Sequence, residues 1–350
     1  MTTQTTNPTF GTALILGAGS FGSSIAAVCA QNFKKVIIKV RSKEIYEDIK
    51  QGMNRKYLPQ HKLPSNIIPA LTFEEIGNEA IDLIVNGLPS QEIGTYFQNY
   101  YGFFKRFLDQ QIPLVSLSKG ISCDTLELPD DIFLDLFPLH RDLFTFLSGP
   151  SFAHEILEKQ ITLVSLAGRN RKVLNTIVSM MQTDYFRLFP TYDIKGVLLG
   201  GALKNILAIA GGIIEGLGHN HNTRAALITL GINDMLRFGH VFNARAETFY
   251  GLSGMGDLIL TSTGESSRNK RFGIEVGKGV PKVSVEEIIK NQQFVVEGYK
   301  TSHALEKLAQ KYEIKCRLFN GVYRVLYEGV NPADVVNDLL RYSSKVAYNY

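Results

Sequence analysis

The chain has 350 residues, with 37 lysine and arginine side chains against 33 aspartate and glutamate, a formal charge of +4; 45% of residues are hydrophobic and 20% charged. That balance is ordinary for a globular protein and excludes a disordered chain. The charge excess is small and dispersed, which gives little support to a nucleic-acid or polybasic membrane binder, and the length predicts two domains at roughly 100–200 residues each.

Residues 1–11, MTTQTTNPTFG, lack the basic start and apolar core of a signal peptide and are expected to be a flexible tail. From residue 12, β-branched runs alternate with helical stretches. The expected strands are Ala13–Leu16, Val36–Val40, Ile81–Asn86, Pro113–Ser118, Leu143–Leu147 and Ile161–Ala167; the expected helices between them include Phe21–Gln31, Gln91–Leu108 and Arg171–Met181. Nearly continuous apolar strands separated by helices predict a doubly wound, Rossmann-type parallel sheet, an α/β domain over 12–192. After Pro190 only helical periodicity and Gly-punctuated loops remain, which predicts an all-α domain over 193–350.

The first strand runs into Gly17-Ala18-Gly19-Ser20-Phe21-Gly22, a G-x-G-x-x-G turn that opens a helix. Gly17 suits the tight turn, Gly19 admits a pyrophosphate to the backbone, Gly22 permits close helix–strand packing, and the helix N-terminus offers free N–H groups. This predicts a dinucleotide cofactor, NAD or NADP. An NAD site usually has an acid at the end of the second strand. Here Arg41-Ser42-Lys43 follows instead. Arg41 either meets a 2′-phosphate or is a solvated loop charge.

Further on, Lys119-Gly120 and Ser148-Gly149-Pro150-Ser151 each follow a strand, at the sheet edge where ligands bind. The segment Gly196–Leu217, GVLLGGALKNILAIAGGIIEGL, sets six glycines and many apolar residues around Lys204. Gly200, Lys204, Ala208, Gly211 and Glu215 share one face at helical spacing, opposite a core stripe of Leu199, Leu203, Ile206, Ala210, Ile213 and Leu217. Glycine costs up to ~1 kcal/mol in a helix interior, so close approach of a backbone or ligand is expected to compensate. Lys204 has two readings: a desolvated amine suited to acid–base work, or an edge residue that reaches water. A mid-helix lysine costs about 2.5–3.5 kcal/mol in a bilayer, so no membrane span is expected.

Gly254-Met255-Gly256-Asp257 and Thr261 read as a tight polar loop, in which Asp257 pairs with Lys204, binds a substrate hydroxyl or simply ends a turn. Ser267 is placed to cap a helix carrying Arg268 and Asn269, an arrangement suited to a phosphate dianion. His219 and His221 read as loop residues, and no metal is expected. Cys29, Cys123 and Cys316 form no ligand or disulfide spacing and suggest a reducing compartment, the cytoplasm.

Taken together, GAGSFG, SKG, SGPSFAHE, GGALKNILAIAGG, NTRAALIT, GMGDLILTST, SRNKRFG and VVEGY resemble, in order and approximate spacing, the NAD(P)-dependent glycerol-3-phosphate dehydrogenase family, in its bacterial form. The resemblance runs from Gly17 to about Pro332. It implies reversible hydride transfer between NAD(P)H and C2 of dihydroxyacetone phosphate, giving sn-glycerol 3-phosphate for glycerophospholipid synthesis, in a homodimer. It implies Lys204 as general acid/base, with Lys119, Asp257 and Thr261 completing the polar surround. It implies Gly149, Ser151, Ser267, Arg268 and Asn269 as substrate contacts, with Lys119 and Arg268 also touching cofactor. Ser20, Phe21, Arg41, Ala153, Val295 and Glu297 match cofactor positions. Three departures stand out: Leu230 replaces an arginine of LITRG, Ile-Lys-Val-Arg ends the second strand, and Asn86-Gly87-Leu88-Pro89-Ser90 is less apolar than usual. Alternatives are another two-domain Rossmann dehydrogenase, of the β-hydroxyacid or ketopantoate reductase type, and a catalytically silent dinucleotide sensor.

Overall fold

The computed structural model describes residues 9–292 and 294–343. The expected tail therefore lies outside the described residues as far as residue 8, while Phe10 and Gly11 already belong to the first strand. The chain forms two compact units. One contains the residues up to Ser118 with Pro129–Ile194, and the other contains Lys119–Leu128 with Lys195 onward.

The first unit carries strands β1 (Phe10–Leu16), β2 (Phe33–Lys39), β3 (Met53–Asn54), β4 (Leu58–Lys62), β5 (Ile67–Ala70), β6 (Leu83–Asn86), β7 (Leu114–Ser116), β8 (Phe144–Ser148), β9 (Thr162–Gly168) and β10 (Phe186–Thr191). Eight of them form one sheet in the order β10-β9-β8-β7-β6-β1-β2-β5, and β3 pairs with β4 as a separate antiparallel ribbon. Alternation along β1 sends Ala13 and Ile15 into a core with Ile25, Val28, Val36, Ile38 and Phe186, so Leu14 and Leu16 face the opposite side. Phenylalanine fills the core elsewhere: the rings of Phe104, Phe97, Phe133 and Phe144 follow one another with centroids 4.2–5.1 Å apart.

The sheet is doubly wound as expected but not wholly parallel. β8 and β9 run antiparallel, and β10 then pairs parallel with β9. The β8–β9 connection contains only the five-residue helix Ala153–Leu157, too little to cover a crossover. The expected Gln91–Leu108 helix is interrupted: Ile93–Asn99 and Tyr101–Asp109 are separate, with Tyr100 at non-helical φ −114° and ψ 29°. The strand order reverses between β1 and β6, and this is where the carboxyl ends of an open sheet leave a crevice.

Among the described residues the second unit is helical. Its helices are Ile194–Gly216, His221–Val241, Ala246–Tyr250, Asp257–Thr263, Arg268–Gly279, Val285–Lys290, Glu297–Lys311, Arg317–Tyr327 and Pro332–Ser343. The first is long and apolar enough to cross a membrane, yet its apolar window is entirely buried in the protein. The sequence reading of one core stripe on this helix is therefore corrected, because Lys204 (8% exposed) and Ala208 (0%) are as buried as Leu203 and Ile206 (both 0%). A helix apolar all round is a core helix. His221 is likewise corrected from loop to the first residue of a helix.

Glycines make that central helix possible. A Cβ on Gly216 would lie 3.0 Å from Gly277 Cα, and one on Gly273 would lie 3.0 Å from Gly212 Cα. Two helices thus cross glycine against glycine, backbone on backbone, which offsets the low helix propensity of both stretches.

Candidate active site

In the first unit, the nucleotide turn follows β1. Gly17 has φ +96°, a conformation that favours glycine, and its N–H donates to Lys39 O at 3.1 Å. A Cβ on Gly22 would strike Gly17 O, so glycine there is a packing requirement. Gly19 is different: a Cβ on it would meet nothing within 4 Å. Packing does not demand glycine at 19, and the open space lies directly before the N-terminus of the Ser20–Cys29 helix, where the helix dipole favours an anion. A pyrophosphate fits that cradle. Gly87 at the end of β6 closes its other side, since a Cβ there would lie 3.0 Å from Leu16 O. Asn86 knits the same edge, donating to Ser116 Oγ at 3.1 Å and Ser118 Oγ at 3.0 Å. The polar departure at Asn86 is thus a strand-to-strand tie.

Arg41 follows β2 with its side chain 84% exposed, 3.5 Å from Glu92. Ser20 Oγ is 3.5 Å from Tyr57 O. Gly149 is pressed against β9, where a Cβ would lie 2.9 Å from Val164 Cα, and Ser151 Oγ donates to Gly149 O at 2.8 Å. Ala153 opens the short helix after them.

The second unit brings Lys119, Lys204, Asp257 and Thr261 together. Gly254–Asp257 is not the loop expected from its glycines. Leu252–Gly256 is a π-helical turn that continues into the Asp257–Thr263 helix. Asp257, 2% exposed, accepts from Lys204 Nζ at 2.5 Å and from Lys119 Nζ at 2.7 Å, one lysine on each oxygen. Lys204 also donates to Thr261 Oγ1 at 2.9 Å, whose hydroxyl donates to Asp257 O at 2.6 Å. Burial pushes Lys204 down to about 8 from the ordinary 10.5; Asp257 opposes this and Lys119 adds to it. Burial also opposes charge on Asp257, but the two lysines outweigh it and hold the carboxyl below its usual range. With both lysines protonated the trio carries a net positive charge. An amine tuned close to neutrality both gives and accepts a proton in the physiological range.

Ser267 caps the Arg268–Gly279 helix by accepting from Lys270 N at 3.2 Å, and Arg268 is exposed at its first position. Asn269 is 9% exposed and its amide is engaged on both sides: Nδ2 donates to Asn205 Oδ1 at 3.0 Å, and Oδ1 accepts from Gly298 N at 3.0 Å. Asn205 in turn donates to Glu297 Oε2 at 3.3 Å. Val295 is 55% exposed.

Sequence reasoning passed over Asn205, which sits beside Lys204 in an apolar run. A buried amide must find partners, and that was the available signal. Glu215 does not serve Lys204, despite sharing its helical face; it pairs with Arg224 at 3.0 Å and with the buried Lys270 at 3.1 Å. Leu230 is 45% exposed, and nothing in the structure explains it. No metal-holding group of three His, Cys, Asp or Glu side chains occurs among the described residues.

Two family models match. Residues 12–174 match the NAD-dependent glycerol-3-phosphate dehydrogenase N-terminus, and residues 193–337 match the corresponding C-terminus. A glycerol-3-phosphate dehydrogenase (NAD(P)+) of Leptospira biflexa is 38% identical over 329 residues, 93% of this chain and 96% of its own. One from Carboxydothermus hydrogenoformans is 36% identical over 96% of this chain and 98% of its own. The crystal structure of the Coxiella burnetii glycerol-3-phosphate dehydrogenase superposes with a TM-score of 0.85 at 32% identity, covering 95% of this chain and 99% of that one.

Proposed function

The chain belongs to the NAD-dependent glycerol-3-phosphate dehydrogenase family, and from that premise we propose that it interconverts dihydroxyacetone phosphate and sn-glycerol 3-phosphate with NAD(P)H. The observation that carries this reading is the buried Lys204–Asp257–Lys119–Thr261 cluster. When bound, the reduced nicotinamide supplies the hydride that C2 of the ketone accepts. Lys204 donates a proton to the C2 oxygen in reduction and takes it back in oxidation. Asp257 holds the Lys204 ammonium in place and, through Lys119, keeps a second cation beside the developing oxyanion. Thr261 fixes the third direction around Nζ.

At the other end of the substrate, Ser267, Arg268 and the helix N-terminus bind the phosphate, supported by their position at a capped helix start. Asn269 adds its remaining amide N–H, while its two internal bonds brace the site. Binding the phosphate orients the reacting carbon. Gly149 and Ser151 contact substrate. Gly17, Gly19, Ser20, Phe21, Gly22, Arg41 and Ala153, and likewise Lys119, Arg268, Val295 and Glu297, are assigned to the dinucleotide from their match to the family's cofactor positions. We assign dinucleotide binding to a domain over 12–192 and catalysis to a domain over 193–350, to which the Lys119–Leu128 segment adds Lys119. The setting is a cytoplasmic homodimer; three free cysteines agree with a reducing compartment.

The family relationship does not favour a β-hydroxyacid or ketopantoate reductase, or a silent sensor. The test is oxidation of NADH and of NADPH followed spectrophotometrically with dihydroxyacetone phosphate. Turnover with at least one cofactor is expected, and its absence with both overturns the proposal.

A further inference from the structure

Gly200 lies about one turn before Lys204 on the central helix. A Cβ there would lie 2.6 Å from Ser253 O, 3.0 Å from Ser253 C and 3.3 Å from Gly254 N. These are backbone atoms, so no side-chain rotation relieves the crowding. They belong to the π turn Leu252–Gly256, which is closed by Gly256 N donating to Gly251 O at 3.1 Å and continues directly into the helix that Asp257 begins. A π turn holds one residue more than an α-helical turn, and one residue of helix is about 100° of rotation. The direction in which Asp257 projects is therefore set by this turn. The turn is seated on Gly200 by packing; the Ser253 hydroxyl is buried and makes no hydrogen bond.

We propose that Gly200 is a positioning residue for catalysis: by letting the Ser253–Gly254 backbone close on the central helix, it aims the Asp257 carboxylate at Lys204 and Lys119. This rests on the reading of Lys204 as the acid/base. The charged groups acting on Lys204 are Asp257, Lys119 and Glu297. Asp257 is bonded to it directly, and its negative charge helps Lys204 keep its proton. Moving Asp257 outward lets burial and Lys119 prevail, so Lys204 loses its proton at lower pH.

The experiment measures kcat and KM for ketone reduction against pH in the wild type, Gly200→Ala, Gly211→Ala and Asp257→Asn. Gly211 is the control on the same helix, because a Cβ there would make ordinary contact at 3.8 Å with Ser262. Gly200→Ala is expected to lower kcat at least about tenfold, with KM little changed, and to move the alkaline limb about one pH unit down. Gly211→Ala moves neither. In the Asp257→Asn background, Gly200→Ala produces no further displacement of the limb. A merely structural defect scales the whole profile and leaves the limb in place. A limb displaced by Asp257→Asn but not by Gly200→Ala overturns this inference alone. A limb indifferent to Asp257→Asn overturns the underlying reading of Lys204. Should the alanine variant not fold, Ser253→Gly, which adds no atom, loosens the same turn; an undisplaced limb there also overturns the proposal.

Discussion

Replacing Lys204 by methionine should cut turnover by orders of magnitude and make the protein more stable. The unfolded lysine keeps its proton up to about pH 10.5, the folded one only up to about 8. Between those values the unfolded state binds more protons, so wild-type stability rises with pH across that window, and it carries the full penalty of the buried charge below pH 8. At about 1.4 kcal/mol per pH unit the penalty is about 3 kcal/mol. Methionine fills a similar volume without the charge. Asp257 is not stranded by the change, because Lys119 remains on its other oxygen at 2.7 Å, and Thr261 keeps its bond to Asp257 O. Some of the gain is lost with the Lys204 hydrogen bonds, leaving a net increase of about 1–3 kcal/mol at pH 7. Loss of the acid/base should cost about 10²–10⁴ in kcat. Urea unfolding of both proteins at pH 7, 9 and 10.5 reads the difference, which should shrink as pH rises through the window. A variant less stable than wild type at pH 7, with a deficit unchanged by pH, would refute the idea that the charge is held at a cost.

Three further substitutions probe the anion sites and the packing beside them. Arg268→Ala, assayed at saturating cofactor, should raise KM for dihydroxyacetone phosphate at least about tenfold, as expected for loss of a charge-assisted contact, and change turnover of unphosphorylated dihydroxyacetone far less; an equal effect on both ketones contradicts a phosphate role. Gly19→Ala should leave the melting temperature unchanged while weakening dinucleotide binding in calorimetry. Gly22→Ala, which drives a Cβ onto Gly17 O, should lower the melting temperature, by overpacking worth about 1–3 kcal/mol. Identical behaviour of the two variants would remove the distinction between ligand space and packing.

What could be read in the sequence was what is local. The β1–turn–helix unit was legible because its three glycines and flanking apolar runs lie within one short stretch. The Arg171–Met181 helix was legible because Leu174, Ile177 and Met181 fall on one face. β5 and β10 were missed, and each contains a proline, Pro69 and Pro190, which argues against a strand in single-sequence reading. Both are edge strands, where proline is tolerated. In the second unit, Gly254 and Gly256 signalled a loop, whereas close packing on Gly200 favours a helical turn; that contact joins residues about fifty apart. The Lys204–Asp257 pair was one of several local readings of Asp257, and only the fold selects among them. The Asn269–Asn205–Glu297 chain was invisible for the same reason, since each of these side chains alone is an ordinary polar residue.

Lys119 reaches its carboxylate on a ten-residue excursion, Lys119–Leu128, that leaves the sheet unit after Ser118 and returns to it at Pro129. The catalytic unit is therefore not encoded in one piece. A recombination that exchanged everything before residue 195 for another nucleotide-binding fold would carry away one of the two lysines on Asp257 and leave that carboxylate with Lys204 alone. In this chain the nucleotide-binding stretch of sequence and one of the two lysines on Asp257 travel together, and any change of cofactor unit has to bring a lysine of its own.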